Sequence, residues 1–152
     1  MDPLVICDVV HSDLQAILEI EQQSFSSPWD LETFIMSLED PRSMCSGAKI
    51  HGVPIGYCFA LDMKNMLHVL NLAVHPEYRR RGVARRLLSE MIDRARIMDR
   101  SYVVLEVRTS NVPARFLYTS MGFSHVSTWR EYYTDTHEDA EVMVKKLGIF
   151  RL

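Results

Sequence analysis

Two side chains in the second half of the sequence, Glu106 and Tyr118, can transfer protons, and Asn111 between them can donate and accept hydrogen bonds. Glu106 lies inside the apolar run 102–107, and Asn111 and Tyr118 follow it, seven residues apart. A buried carboxylate is costly unless it is paired, solvated or functional, and partial burial favours its use as a general base. The structural alternative is a salt bridge from Glu106 to Arg108 or to another cation.

Asn111 and Tyr118 are expected on one face of a helix. Seven residues of α-helix turn through about 700°, so the two side chains would project in nearly the same direction. Ala114 lies between them and is small enough to leave a groove. Each residue also has a structural interpretation, because Asn is common as an N-terminal helix cap and a tyrosine can belong to the core. The residues alone leave both interpretations open.

The stretch 72–84 predicts an anion-binding turn, because it joins an apolar strand to an amphipathic helix. Backbone N–H groups at a helix start have no helical partner, and together with the helix dipole they attract phosphate oxygens. Gly82 and Ala84 keep the side chains small where the backbone approaches a ligand. Several positive side chains would oppose the dipole unless an anion is bound. They are Arg79, Arg80, Arg81, Arg85 and Arg86.

This turn has two alternative interpretations. The first is a solvated basic helix start without a ligand, and the second is a site for a different nucleotide. The dinucleotide fingerprint G-x-G-x-x-G and the P-loop pattern G-x-x-x-x-G-K-[ST] are both absent from the sequence. Their absence weakens the second alternative.

Hydrophobic periodicity predicts the elements that position these residues, in the order β-α-α-β-β-β-α-β-α-β-β. Strands are expected at 4–10, 44–50, 53–61, 66–74, 102–107, 123–133 and 141–147. Helices are expected from Ser12 or Asp13, after Trp29, at 80–98 and at 111–121. The strands 66–74 and 102–107 flank a helical crossover and should be parallel neighbours. The fold class is therefore α/β, a mixed and mostly antiparallel seven-stranded sheet with about four helices on both faces.

Length and composition limit the classes of function. The 152 residues are 47% hydrophobic and 24% charged, which predicts one folded domain over 1–152. A net charge of −3 argues against a broad nucleic-acid surface. The N-terminus lacks signal-peptide features, and no apolar segment reaches the roughly 20 residues of a membrane span, so a cytoplasmic protein is expected. The cysteines (Cys7, Cys45 and Cys58) and the histidines lack metal-ligand spacing, so no metal is expected.

Residues 79–84 have the sequence R-R-R-G-V-A, which resembles the pyrophosphate loop R/Q-x-x-G-x-G/A of the GNAT (Gcn5-related N-acetyltransferase) superfamily. Their position between the fourth strand and the following helix strengthens the match. The resemblance implies acetyl-coenzyme A as cosubstrate, with its pyrophosphate on the backbone amides of 79–85 and its pantetheine arm along 72–74. The implied cofactor-binding residues are Leu72, Ala73, Val74, Arg79, Arg80, Arg81, Gly82, Val83, Ala84, Arg85, Asn111 and Tyr118.

A narrower resemblance extends over residues 11–147. The pattern L-E-V-R-x-S-N-x-x-A-x-x-L-Y-x-x-x-G-F at 105–123 is similar to that of RimI-type ribosomal-protein-alanine N-acetyltransferases and of related archaeal and eukaryotic N-terminal acetyltransferases. Further matching segments are Ile20-Glu21-Gln22, Ser27-Pro28-Trp29, Phe34, Tyr132-Tyr133 and Glu138-Asp139-Ala140. Ser27 is a departure, because RimI proteins usually carry an aromatic residue before the Pro-Trp pair.

The narrower resemblance implies a role for each candidate residue. Glu106 would act as general base on the incoming amine, and Tyr118 would protonate the departing thiolate. Trp29, Tyr132 and Tyr133 would border the peptide. The expected partner is a protein or peptide N-terminus, with a ribosomal protein as one possibility, and the chain is expected to be a monomer or weak dimer.

Several other functions are compatible with the same residues. They are a broader archaeal-type N-terminal acetyltransferase, a lysine or small-molecule acetyltransferase on the same fold, and a non-catalytic acyl-coenzyme A sensor. A covalent route through an acetylated cysteine is the competing enzyme mechanism. The presence of both Glu106 and Tyr118 argues against a sensor.

Overall fold

Seven strands form one mixed sheet in the computed structural model of the chain, which describes residues 3–148. The strands are β1 (Leu4–Asp8), β2 (Ser43–Ile50), β3 (Val53–Asp62), β4 (Met66–Val74), β5 (Tyr102–Arg108), β6 (Ser124–Tyr133) and β7 (Glu138–Lys146). Their order across the sheet is β1-β2-β3-β4-β5-β7-β6. Only β4 and β5 pair in parallel among the described strands, which confirms the predicted crossover. β7 lies between β5 and β6, a placement that the sequence analysis does not predict.

Four α-helices cover the sheet: α1 (Leu14–Ser24), α2 (Leu31–Glu39), α3 (Val83–Ile97) and α4 (Val112–Ser120). α1 and α2 pack on one face, in a core that contains Ile17, Phe34, Tyr57 and Phe59. α3 and α4 pack on the other, in a core that contains Leu87, Leu88, Val103, Leu105 and Tyr118. The predicted fold class is confirmed. No helix within residues 3–148 is long and apolar enough to cross a membrane.

Three predicted boundaries differ from the structure by two or more residues. The first strand ends at Asp8, two residues early, and β7 begins at Glu138 instead of 141. The helix expected from residue 80 begins at Val83, because Arg80 and Gly82 adopt positive φ angles of 63° and 77° that no α-helix contains. The arginine-rich segment is therefore a turn that precedes α3.

β5 is buried on one face and half-buried on the other. Val103, Leu105 and Val107 are buried against α3, whereas the alternate residues are partly exposed. Because successive side chains of a strand point to opposite faces, Glu106 projects toward the face that carries α1 and α2.

β4 separates from β5 after a short parallel stretch. The register includes only Met66↔Tyr102, Leu67↔Val103 and His68↔Val104. Just beyond it, β4 carries a bulge: Ala60 of β3 faces Val69 while Phe59 faces Asn71, which leaves Leu70 unpaired. A bulge bends its strand and increases the local twist. The result is a wedge-shaped cleft between the second half of β4 and β5.

At the far edge of the sheet, β6 pairs irregularly with β7. The register shifts twice, once between His125 and Ser127 and again between Trp129 and Tyr133. All residues of β6 except its last are exposed. The strand is therefore held by its backbone pairing with β7 and contributes little to either core.

The buried face of α3 predicts how the stability of the protein depends on that helix. Leu87 is 0% exposed and Ile97 at the end of the same helix is 83% exposed. We expect Leu87→Ala to lower the free energy of unfolding by about 2–5 kcal/mol, because it leaves a cavity. Ile97→Ala, the matched control, should change it by less than about 0.5 kcal/mol. Urea denaturation measures both, and equal losses would contradict this packing.

Candidate active site

Glu106 lies at the closed end of the cleft, in contact with a histidine of the neighbouring strand. Nε2 of His68 lies 2.9 Å from Oε1 and 2.7 Å from Oε2 of Glu106. The two side chains are 26% and 12% exposed. His68 belongs to the last register pair before the strands separate, so the contact marks the point where the cleft begins. The ion pair between Glu106 and Arg108, the structural alternative for Glu106, does not form, because the guanidinium of Arg108 pairs with Asp135.

Tyr118 lies on α4 with its ring in the core and its hydroxyl at an accessible surface. The residue is 8% exposed, and its ring centroid lies 5.9 Å from that of Phe123. Burial raises the pKa of Tyr118, so the phenol is protonated at neutral pH. Its Oη makes no hydrogen bond within residues 3–148. Every fully buried side-chain N or O in these residues has a hydrogen-bond partner, so this Oη is not fully buried. The hydroxyl is therefore open to a ligand or to solvent.

Asn111 is the N-cap of α4. Its Oδ1 accepts a hydrogen bond from the backbone N–H of Ala114 at 3.2 Å, and its own backbone is not helical (φ −80°, ψ 73°). Asn111 therefore has the helix-cap role that its residue type suggests, one position before the first helical residue. Within residues 3–148 its amide nitrogen makes no hydrogen bond, so it keeps a donor for a ligand.

The turn before α3 presents unpaired backbone donors. Gly82 is the N-cap, no side chain caps the helix, and the first turn contains no acidic residue. None of the backbone N–H groups of 79–85 donates a hydrogen bond within the described chain. The positive φ angles of Arg80 and Gly82 mark a tight turn, and unpaired N–H groups in such a turn can bind an anion. The predicted phosphate site thus consists of backbone more than of side chains.

Most of the arginines near this turn hold the fold together. Nε of Arg79 donates to the carbonyl of Val74 at 2.9 Å, and its terminal nitrogen donates to Oγ of Ser24 at 3.0 Å. The guanidinium of Arg81 lies 5.4 Å from the ring centroid of Tyr78. The guanidinium groups of Arg79 and Arg81 therefore already have partners within the protein.

The arginines of the first helical turns behave in the same way. Arg85 donates to Oγ of Ser120 at 2.8 Å and so links α3 to α4. Arg86 reaches the carbonyl of Leu4 at 3.5 Å. Within residues 3–148, Arg80 alone among the five has no side-chain contact, which makes it the arginine most available to an anion.

A buried carboxylate, Glu21, orders the side of the cleft formed by β4. No pattern in the sequence predicts this role. It is 2% exposed and accepts hydrogen bonds from Oη of Tyr57, from Nδ2 of Asn71 at 2.7 Å and from the backbone N–H of Trp29 at 3.0 Å. The ring of Trp29 packs on Phe34 with centroids 5.1 Å apart. Glu21 therefore connects α1, the loop before α2, and the bulged part of β4.

Tyr132 and Tyr133 end β6 on the side of the cleft formed by β5. Tyr132 is 49% exposed, and the two ring centroids lie 5.1 Å apart. The guanidinium of Arg108 lies 4.0 Å from the ring centroid of Tyr133. Burial raises the pKa of Tyr133 to about 12, and the charge of Glu106 contributes in the same direction. Tyr133 and Glu106 therefore belong to one region of the site.

The cysteines do not have the properties of nucleophiles. Burial raises the pKa of Cys45 to about 11 and that of Cys58 to about 12, which leaves almost no thiolate at neutral pH. Cys7 is exposed on β1, at the edge of the sheet away from the cleft. These surroundings favour direct attack on the acyl donor over an acetyl-cysteine intermediate.

A sheet opened between two parallel strands, with an uncapped turn beside it and a carboxylate at its closed end, defines a class of acyl-transfer enzyme. The chain belongs to the acetyltransferase (GNAT) family, whose model matches residues 14–123. The predicted superfamily is confirmed.

Among named proteins, the chain is 35% identical to the N-alpha-acetyltransferase RimI of Mycobacterium tuberculosis, over 97% of this chain and 95% of that protein. It is 34% identical to the [ribosomal protein bS18]-alanine N-acetyltransferase of Escherichia coli K12, over 91% and 94%. The crystal structure of the ribosomal-protein-S18-alanine N-acetyltransferase from Escherichia coli superposes with a TM-score of 0.91, at 30% identity over 98% and 97% of the two chains. The RimI-type resemblance is therefore also confirmed.

A more distant solved structure shares the fold. Arabidopsis thaliana NAA60 in complex with acetyl-CoA superposes with a TM-score of 0.85, at 22% identity over 95% of this chain and 100% of that one.

The geometry of the turn predicts the effect of a methyl group at Gly82. Gly82 and Gly52 both have φ of 77° and no atom within 4 Å of an added Cβ. Alanine should therefore lower the free energy of unfolding by a similar amount at both sites, about 1 kcal/mol. Only Gly82→Ala should weaken acetyl-coenzyme A binding, by about tenfold or 1.4 kcal/mol, because the methyl group competes with the phosphate for space. Titration calorimetry measures the affinity of both variants for acetyl-coenzyme A. Equal affinities would exclude this turn from the cofactor site.

Proposed function

We propose that this chain transfers the acetyl group of acetyl-coenzyme A to the N-terminal α-amine of a protein, with an N-terminal alanine of a small-subunit ribosomal protein as the preferred acceptor. The observation that carries the proposal is Glu106, a half-buried carboxylate held by His68 at the closed end of the β4–β5 cleft. The names of the relatives that are 34% and 35% identical support the choice of acceptor. A ribosomal substrate would place the reaction in the cytoplasm.

Acetyl-coenzyme A would bind from the side of α3. Its pyrophosphate would accept hydrogen bonds from the free backbone N–H groups of residues 79–85, and Arg80 would add a positive charge. Its pantetheine arm would follow residues 72–74, which have no partner strand on the side of β5. Asn111 would donate to the same arm through its amide nitrogen. The thioester would then lie inside the cleft, between Glu106 and Tyr118.

The chemistry follows from which group holds each proton. Glu106 would accept a proton from the incoming ammonium, through a water, and the neutral amine would attack the thioester carbonyl. An α-amino group, with a pKa of about 8, loses its proton far more readily than a lysine, at about 10.4. A single carboxylate is therefore a sufficient base for a chain terminus. The C–N bond forms, the C–S bond breaks with its electron pair on sulfur, and the nitrogen loses its second proton to solvent, from which the phenolate of Tyr118 regains one.

Tyr118 would donate its phenolic proton to the departing thiolate. Burial raises the pKa of Tyr118, so the phenol carries its proton when the thioester binds and acts as a weak acid. The thiolate is only a modest base, with a pKa of about 8.5 by analogy with cysteine, so weak acid assistance is enough. A free N–H of β4 near Leu72 or Val74 would polarise the carbonyl, and alignment of both substrates in the cleft would supply the larger share of the rate gain.

Trp29, Tyr132 and Tyr133 would form the walls of the acceptor site. Trp29 would reach the cleft from the loop before α2, and the tyrosines would reach it from the end of β6. Their rings offer apolar surface and the exposed Tyr132 offers a hydroxyl, which suits a short, extended peptide.

A peptide panel tests the proposed acceptor. Short peptides that begin with Ala, Ser, Thr or Met, and an N-terminally blocked peptide with an internal lysine, are incubated with acetyl-coenzyme A, and mass spectrometry locates the acetyl group. We expect the Ala peptide to react with the highest kcat/KM and the blocked peptide not to react. Similar rates on all free N-termini would favour the broader archaeal-type specificity. Preferred acetylation of the blocked peptide would refute α-amine transfer.

Replacing Glu106 by glutamine should separate catalysis from cofactor binding. We expect kcat to fall by roughly 100-fold, because the amide cannot accept the proton, while the Kd for acetyl-coenzyme A changes by less than about twofold. Stopped-flow kinetics and titration calorimetry measure these quantities. Glu90 is an exposed glutamate of α3, and Glu90→Gln serves as the matched control. Wild-type turnover of Glu106→Gln between about pH 6 and 9 would remove Glu106 from the mechanism.

A further inference from the structure

The open end of the cleft divides the sheet into two halves. β1 to β4 carry α1 and α2 on one side of the gap, and β5 to β7 lie on the other. Beyond His68 and Val104 no backbone pairing joins the halves within the described strands. On the face of α1 and α2, any connection across the gap must therefore come from side chains.

Besides the His68–Glu106 contact at the closed end, one side-chain hydrogen bond within residues 3–148 makes this connection. Oγ of Ser26 donates to Oδ2 of Asp135 at 2.5 Å, although the two residues are 109 positions apart in the chain. Ser26 lies in the loop 25–30 between α1 and α2, the loop that also carries Trp29. Asp135 lies in the turn 134–137 between β6 and β7. The bond thus joins the two segments that carry the proposed peptide-binding aromatics.

Asp135 is fixed from the other side by Arg108. The guanidinium donates to both carboxylate oxygens, at 3.0 and 2.9 Å, and to Oγ1 of Thr136 at 3.0 Å. It also stacks on the ring of Tyr133. Arg108 follows Glu106 by two residues on β5, so both side chains project from the same face. The contact with Arg108, helped by Ser26, lowers the pKa of Asp135 to about 2, so this carboxylate is charged throughout the range in which enzymes are assayed.

We propose that Ser26, Asp135 and Arg108 form a bridge over the acceptor side of the cleft, and that Asp135 is a positioning residue that sets the opening through which an amine reaches Glu106. This inference rests on the proposed function. The bridge holds loop 25–30 against the β6–β7 turn, so the two segments that flank the acceptor side of the cleft keep a fixed separation.

The bridge affects peptide binding by ordering loop 25–30 and the β6–β7 turn before the peptide arrives. Ordering a loop costs conformational entropy, and a loop that is already ordered spares the peptide that cost on binding. The bidentate Arg108–Asp135 pair supplies a rigid anchor, because a planar guanidinium fits a carboxylate in one geometry. Loss of the bridge should therefore weaken acceptor binding more than it slows the chemical step.

The test compares Ser26→Ala, Asp135→Asn and the double variant. For the Ala-starting peptide we expect KM to rise about tenfold in each single variant, with kcat lowered by less than about threefold and the Kd for acetyl-coenzyme A unchanged. The double variant should be no worse than Asp135→Asn alone, because loss of the anchor on Arg108 already releases the partner of Ser26. Hydrogen–deuterium exchange of residues 25–30 should accelerate in all three variants.

Asp62→Asn is the matched control. Asp62 also pairs with an arginine in a bidentate geometry, since Arg100 donates to its two oxygens at 2.7 and 2.8 Å. That pair lies at the closed end of the sheet, near the start of β4 and β5. Asp62→Asn should lower stability to a similar degree without a change in peptide KM or in exchange of residues 25–30.

Two results would overturn the bridge. One is an unchanged peptide KM in Ser26→Ala and Asp135→Asn. The other is an equal rise of KM in Asp62→Asn, which would show a general loss of stability. Failure of the proposed function has a different signature, since the wild-type chain would then acetylate no free peptide N-terminus. In that case exchange of residues 25–30 still decides the matter, because unchanged exchange in Asp135→Asn would show that the bridge does not order the loop.

Discussion

The separation of β4 from β5 is the constraint on which the rest of the site depends. Parallel strands normally pair along their whole length and are covered by helices on both faces. Here the pairing stops after three residues, and the bulge at Leu70 bends β4 away. The backbone groups of residues 72–74 are left without a partner strand on that side, which would be unfavourable in a closed sheet. A ligand with amide groups of its own, such as a pantetheine arm, is the natural partner for them.

An opened sheet must be held open by contacts outside the cleft. Glu21 joins Tyr57 of β3 to Asn71 of β4 and to the backbone of Trp29, while Arg79 joins the end of β4 to Ser24 at the end of α1. The half of the sheet that contains β5 is held by the pair of Arg108 with Asp135 and by the Asn111 cap of α4. Each half of the sheet is thus rigid by itself, and the geometry of the reaction depends on the few contacts that cross the gap.

Much of this fold follows from local pattern, and the exceptions have identifiable causes. The amphipathic stripe of α3 and the parallel pair β4–β5 are predictable because they depend on periodicity and connection length. The bulge also leaves a trace: the apolar positions of β4 that face α3 change from odd (Leu67, Val69) to even (Leu72, Val74). Leu70 hides this change, because it is apolar as well. The position of β7 between β5 and β6 leaves no such trace, since an antiparallel hairpin can attach to the sheet by either strand.

The site itself was predictable in kind but not in its contacts. Glu106 stands out as a charge in an apolar run, whereas the histidine that binds it lies on another strand and depends on register. The arginines around the start of α3 look like ligands for an anion, yet Arg79 and Arg85 are bound by serines that are distant in sequence. Long-range polar contacts of this kind follow from the folded geometry and leave no local pattern.

The irregular pairing of β6 has a consequence for how molecules of this protein behave toward one another. An exposed edge strand offers a row of free backbone groups on which another chain can add a strand and begin aggregation. In β6 the two register shifts interrupt that row, and Glu131, with φ of 50°, breaks its extended course. The strand can therefore display exposed apolar side chains such as Trp129 without serving as a template for intermolecular sheet growth.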